Sequence, residues 1–229
     1  MSSSKAIIPD DYQDYVYRFT YWVLGKIAHL VPSKISPNQI TIAAFSFAMM
    51  GTYLLYAIKT PSAYLYWVLF NFLWYIFDAL DGIHARLTNQ SSEYGAFLDH
   101  ALDNIYFLAM FTVFVIKFDL MHMLYIYIIF LRITTSVMVF TVQCHTNRLY
   151  LDKFSGGTEL ILFSAAMILT YFFPNYNPLF HTISTTTASW IEYLNLDSGL
   201  FMKLALLVYF VGSPIYIVKQ FIFVKRQLS

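Results

Sequence analysis

Asp78-Ala79-Leu80-Asp81-Gly82-Ile83-His84-Ala85-Arg86 closes one long apolar run, and Gly95-Ala96-Phe97-Leu98-Asp99-His100-Ala101-Leu102-Asp103 opens the next. Of 13 acidic residues in the chain, these two stretches hold Asp78, Asp81, Asp99 and Asp103 within 26 positions. A charged side chain at mid-span costs about 2.5–3.5 kcal/mol, so four together need compensation. Divalent cations supply it, because hard ions take carboxylate oxygens and leave room for phosphate. Asp78 and Asp81 are i, i+3 and share a helix face, as do Asp99 and Asp103 at i, i+4. The polar segment Ala85 to Tyr94 reads as a turn that sets the two helices antiparallel and brings the acids together. Gly82, Ala85 and Gly95 lack the side chains that would block close approach. Arg86 has the planar fork that grips phosphate.

Working outward, 59% of the 229 residues are hydrophobic and only 12% are charged. Soluble domains carry about 25% charged residues, so a mostly wet surface is excluded. The 22 Phe and 19 Tyr fit hydrocarbon and headgroup levels respectively. The net charge of +1 leaves no nucleic-acid footprint. Cys144 is the only cysteine, which excludes an intramolecular disulfide and a thiolate zinc site. No repeat of solenoid length is visible.

The sequence therefore predicts an all-α integral membrane protein with about six transmembrane helices, each about 20 residues long. The spans run from Ile40 to Ile58, Ala63 to Leu80, Gly95 to Ile116, Met121 to Val142, Thr158 to Phe173 and Gly199 to Val224. Ahead of them, Pro9 to Val31 carries Tyr12, Tyr15, Val16, Phe19, Trp22, Val23 and Ile27 at helical spacing, an amphipathic interfacial helix. A helix packed on a partner domain is the other reading. One domain covers residues 1–229, with the interfacial helix at 9–31 and the six-helix core at 40–224. The polar start, Met1 to Asp14, has no basic-then-apolar leader, so the first span is expected to serve as the targeting signal.

Placing both termini in the cytosol puts Lys5, Arg18, Lys26, Lys34, Arg86, Arg148, Lys153, Lys219, Lys225 and Arg226 inside or at the inner border. Only Lys59, Lys117 and Lys203 fall outside, and Arg132 lies within the fourth span. That bias favours the orientation. The connection Asn175 to Asp197, near Pro174 and Pro178, is then non-cytosolic and carries no evident chemistry.

In order, the acids and their neighbours spell D-x-x-D-G-x-x-A-R-x8-G-x3-D-x3-D. This resembles the signature of the CDP-alcohol phosphotransferase family, with all eight specified positions matched over 26 residues. The resemblance covers the six-helix core. It implies a membrane transferase with two divalent ions, Mg2+ or Mn2+, and release of CMP. Asp78 and Asp81 would hold one ion and Asp103 the other, with Asp99 bridging; Gly82 and Arg86 would face the CDP moiety. Ser36-Pro37-Asn38-Gln39-Ile40-Thr41 is similar to the family's P-N-x-I-T segment, which implies CDP contacts for Asn38 and Thr41. Read locally, Asn38 or Ser36 is simply a helix N-cap. A homodimer is implied by the resemblance alone.

The D-H-x-x-D pattern at Asp99-His100-Ala101-Leu102-Asp103 looks like the choline/ethanolamine branch. That resemblance implies CDP-ethanolamine or CDP-choline as donor, diacylglycerol as lipid acceptor, and His100 as general base. A histidine near neutrality suits the task. Asp103 is the alternative base, and a third reading makes His100 a hydrogen-bond partner of Asp99 or Asp103. Ser155-Gly156-Gly157-Thr158-Glu159 resembles the branch's G-P-T-E segment, with Gly157 in place of proline. Glu159 there is an acceptor contact or an acid at a helix N-terminus. Arg132, Arg148 and Lys153 are the cations available to a phosphate-bearing acceptor. Arg132, inside a span, binds phosphate or pairs with an Asp. His84, His145 and Gln143 read as wetted residues at the cytosolic border; His29, His122 and His181 read as interface residues. The resemblance also implies that eukaryotic members of the branch are longer, so a compact member with shifted specificity is the other reading.

Three rivals remain from the residues. One is a phosphatidyltransferase that uses CDP-diacylglycerol and a polar alcohol such as inositol, glycerol phosphate or serine. Another is an Asp-lined cation channel or transporter, which leaves the interleaved Gly, Ala and Arg unexplained. The third is a scaffold whose acids pair with Arg86 and Arg132. The expected location is the endoplasmic reticulum or Golgi in a eukaryote and the inner membrane in a bacterium.

Overall fold

A computed structural model of the chain describes residues 14–121, 123–146, 156–173 and 199–228. These form helices α1 (Tyr15–Ile27), α2 (Pro37–Ala57), α3 (Ser62–Leu87), α4 (Glu93–Lys117), α5 (Met123–Thr146), α6 (Gly156–Phe172) and α7 (Leu200–Leu228), with a 3-10 turn at Ala28–Leu30. No strand occurs among the described residues. Five helices, α2 to α5 and α7, are long and apolar enough to cross a membrane. The remaining expected span is α6, apolar but only 17 residues long. At 1.5 Å per residue it reaches about 26 Å, slightly short of a hydrocarbon core of about 30 Å.

Local sequence sets the helix starts. Ser36 caps α2 in a capping box: its backbone N–H donates to Gln39 Oε1 at 2.8 Å, and Gln39 N–H returns to Ser36 Oγ at 3.3 Å. Pro37 occupies the first helical position, where no N–H is needed. Ser92 caps α4 by accepting from Gly95 N–H at 3.0 Å. Asp14 caps α1 by accepting from Val16 and Tyr17 N–H at 2.8 and 3.0 Å.

α3 outruns its expected end at Leu80. It continues helical to Leu87, so Ala85 and Arg86 belong to its last turn and not to the connection. The turn proper is Thr88–Ser92, with Asn89 at φ 55°, a left-handed position that asparagine tolerates. The intrahelical ladder makes the extension favourable, because polar Arg86 can sit on a helix that leaves the apolar layer.

α2 packs along α3, where Gly51 lets the backbones close: a Cβ there would lie 2.8 Å from Phe70 Cβ. α4 packs on α2, α6 on α3, and α7 on α5 and α6. Consecutive helices α3 and α4 make little backbone contact. Aromatic rings fill the space between them: Trp74 sits 4.9 Å from Tyr106 and 6.0 Å from Phe107, centroid to centroid. Such rings hold two helices apart at a set distance. Tyr106 also donates to Asn71 Oδ1 at 2.5 Å, which satisfies both buried polar groups.

α1 lies against α3 and touches α6. Its packing face is Tyr17, Tyr21 and Leu24, followed by Ala28, over Ala79 and Ile83. Of the stripe read from sequence, Tyr15, Phe19, Trp22, Val23 and Ile27 lie on the opposite, exposed face, Val16 is half-buried against the bundle, and Tyr12 lies outside the described residues. So α1 has two apolar faces, one for the bundle and one free for lipid.

Candidate active site

The beginnings of α2, α4 and α6 and the ends of α3 and α5 meet at one end of the bundle around a cavity of about 1000 Å³. Eleven candidate site residues predicted from sequence line it: Asn38, Thr41, Asp78, Asp81, Gly82, Arg86, Asp99, His100, Asp103, Arg132 and Glu159.

Carboxylate oxygens of Asp78, Asp99 and Asp103 lie within 4.8 Å of one another, the one such acidic group among the described residues. Asp78 reaches in from the α3 side and the other two from α4, across the gap that Trp74 and Tyr106 hold open. All-oxygen donors suit Mg2+ or Mn2+ rather than a thiophilic ion. Asp99 Oδ1 is buried with no hydrogen-bond partner, as an oxygen reserved for a cation would be. The donor set therefore fits a divalent metal.

Asp81 stands apart from that trio. Thr41 donates its hydroxyl to Asp81 Oδ2, which ties α2 to α3. Thr41 is also within 3.1 Å of Pro37 O, so its proton has two possible acceptors. With Ser36 as the cap, Asn38 is released to face the cavity; its Oδ1 lies 3.2 Å from where a Gly95 Cβ would stand. A side chain at Gly95 would crowd it. Arg86 lies beside Gly82, whose absent Cβ would meet Arg86 Nη1 at 3.4 Å and the Tyr21 hydroxyl at 3.4 Å. Its Cζ is 5.3 Å from the Tyr21 ring. Arg86 Nε and Nη2 are buried without hydrogen-bond partners. A guanidinium so placed has donors ready for an anion.

α1 closes this side of the cavity with Tyr17 and Tyr21. Burial raises the Tyr17 phenol well above its ordinary pKa, and the Asp78 and Asp103 carboxylates push it the same way. It thus stays a neutral donor beside the acids. Sequence reading missed both tyrosines, although their i, i+4 spacing on α1 was the available signal.

His100 is held from α5. Its Nε2 is 2.5 Å from Gln143 Oε1, and Phe140 meets the ring edge-on at 5.4 Å between centroids. Nδ1 lies 3.9 Å from Asp99 Oδ2. Gln143 is therefore a partner of the candidate base and not a merely wetted residue. His84 is likewise buried, 1% exposed, with Nε2 2.8 Å from Ile35 O. Both corrections have one cause: α3 and α5 run further than their apolar stretches, so these groups remain inside the bundle. His145 is exposed, as is His29.

Arg132 pairs with Glu159 of α6 rather than with an Asp. Nη2 donates to Oε2 at 2.6 Å, and Nε lies 2.5 Å from Oε1 as an ion-pair contact. The Arg132 Cζ also sits 4.8 Å from the Phe107 ring. Gly157, where the resemblance would place proline, is the seat of α1: a Cβ there would stand 2.7 Å from Val16 Cβ and 2.9 Å from Asp14 Oδ1. Arg148, Lys153, Ser155, His122, His181 and the connection Asn175 to Asp197 lie outside the described residues.

A helical membrane bundle with convergent carboxylates, an unpaired guanidinium and a half-buried histidine defines a candidate site for diphosphate chemistry. Residues 34–196 match the CDP-alcohol phosphatidyltransferase family model, and the chain belongs to that family. The chain is 30% identical to choline/ethanolaminephosphotransferase 1 of Saccharomyces cerevisiae, over 63% of this chain and 39% of that one. It is 31% identical to cholinephosphotransferase 1 of the same yeast, over 60% and 37% of the two chains. It is 37% identical to archaetidylinositol phosphate synthase of Pyrococcus horikoshii, over 31% and 36%. The aligned region thus spans under half the length of each of these relatives.

Proposed function

We propose that this protein transfers a phospho-alcohol from CDP-ethanolamine or CDP-choline to diacylglycerol and releases CMP. The observation that carries the reading is the meeting of Asp78, Asp99 and Asp103 within 4.8 Å, in the same cavity as the unpartnered donors of Arg86. Asp78, Asp81, Asp99 and Asp103 would hold two divalent ions, which when bound neutralise charge on the diphosphate and on the displacement at phosphorus.

The chain's own residues do the rest. Asn38, Thr41 and Gly82 shape the pocket for the CDP moiety, and Arg86 grips a phosphate oxygen. His100 takes the proton of the acceptor hydroxyl. The alcohol oxygen attacks the phosphorus farther from cytidine, and CMP leaves with the electron pair of the broken P–O bond.

A phosphate-bearing acceptor is the second reading, and the similarity to the archaeal synthase speaks for it. The Arg132–Glu159 pair speaks against it, because the guanidinium is already matched by a carboxylate. The family resemblance supports a homodimer, and the lysine and arginine bias supports cytosolic termini with the site opening to the cytosol.

The test offers purified protein CDP-ethanolamine, CDP-choline and CDP-diacylglycerol in turn, with Mg2+ or Mn2+, and measures CMP. The expected result is release from the first two with diacylglycerol, and none from an Asp99→Ala variant that folds normally. Near-normal turnover by Asp99→Ala overturns the scheme.

A further inference from the structure

His100 has two ring nitrogens, and a neutral imidazole offers a lone pair on only one of them. Which one is free is set by the hydrogen bond that the other makes. Nε2 points toward α5, 2.5 Å from Gln143 Oε1. Nδ1 points to the other side of the ring, 3.9 Å from Asp99 Oδ2, too long for a hydrogen bond but on the side of the carboxylate cluster. Phe140, one helical turn before Gln143, packs edge-on against the same ring.

We propose that Gln143 is a positioning residue: its carbonyl accepts the Nε2 proton, fixes His100 in that tautomer and aims the Nδ1 lone pair at the acceptor hydroxyl. The proposal rests on the reading of His100 as the base. The hydroxyl proton moves to Nδ1, the oxygen forms its bond to phosphorus, and the P–O bond to CMP breaks. CMP departs with that electron pair, and the proton later passes from the imidazole to water. Gln143 touches no reacting atom. The structural alternative is that it only packs beside Phe140.

Two substitutions separate the two. Gln143→Met keeps the shape but removes the acceptor. Gln143→Glu keeps an acceptor and cannot donate as a carboxylate. With CDP-ethanolamine and diacylglycerol, Gln143→Met should lose about 10- to 100-fold in kcat, the usual cost of removing an orienting partner, with KM for CDP-ethanolamine within about twofold. Gln143→Glu should bring kcat back to within about threefold of the parent. Parental kcat in Gln143→Met overturns the proposal, as does a Gln143→Glu loss equal to that of methionine. A proportional rise of KM in Gln143→Met does so too, since it points to packing. His100→Ala runs alongside: if it retains kcat, the base reading fails, and the proposal with it. If His100→Ala is inactive while Gln143→Met is normal, only the role of Gln143 fails.

Discussion

The Arg132–Glu159 pair offers the sharpest energetic test. Both side chains are nearly enclosed, at 10% and 15% exposure, and two contacts of 2.5 and 2.6 Å join them. In such surroundings, removing one partner strands the other charge and costs about 3–5 kcal/mol. Arg132→Leu and Glu159→Leu should each pay that penalty. For a chain of this size each kcal/mol moves the midpoint by about 2–4 °C, so each single variant should melt about 6–20 °C lower. The double variant leaves no charge behind and should recover most of the loss, since apolar replacement of a buried pair is often neutral. The assay is thermal unfolding in detergent at one scan rate, because membrane proteins often unfold irreversibly. CMP release measured on the same samples adds a second axis. A double variant that is stable but inactive assigns the pair to acceptor handling; a stable and active one makes it structural. Single variants that melt within about 2 °C of the parent would refute the reasoning, for they would show the charges to be well solvated.

Four further outcomes follow from the packing and the topology. Gly51→Ala should cost about 1–3 kcal/mol in a melting assay, because its Cβ would lie 2.8 Å from Phe70 Cβ, an atom anchored to the α3 backbone. Gly212→Ala, with nothing within 4 Å, should hold or slightly raise the midpoint in the same assay. Gly157→Ala should lift α1 from α6, since Val16 Cβ is 2.7 Å away, and should raise KM for the CDP-alcohol several-fold by displacing Tyr17 and Tyr21. Cys144 is exposed at the end of α5 nearest the site, so a membrane-impermeant maleimide should label sealed vesicles only from the cytosolic face. Labelling from the opposite face would reverse the proposed orientation.

Much of the site was legible because the relevant spacings are local. The i, i+3 and i, i+4 intervals put each pair of aspartates on one helix face whatever the rest of the chain does, and a short polar turn forces the two helices to return past one another. Membrane placement was equally legible, since 59% hydrophobic against 12% charged residues permits no wet fold of this length. The extent of α3 was not legible: hydropathy falls at Leu80, but helical hydrogen bonding continues through Arg86.

What only the tertiary structure decided were the partners of side chains far apart in sequence. Thr41 with Asp81, His100 with Gln143, Arg132 with Glu159, and Val16 with Gly157 are each separated by 27 residues or more. Helical periodicity gives the face on which a residue lies but not the rotation of one helix against another, and that rotation is set by ring and glycine contacts summed over the whole bundle. For the same reason α1 kept its inner face hidden from sequence reading. Both its stripes are apolar, and only the docked bundle distinguishes the one that packs on α3 from the one left to lipid.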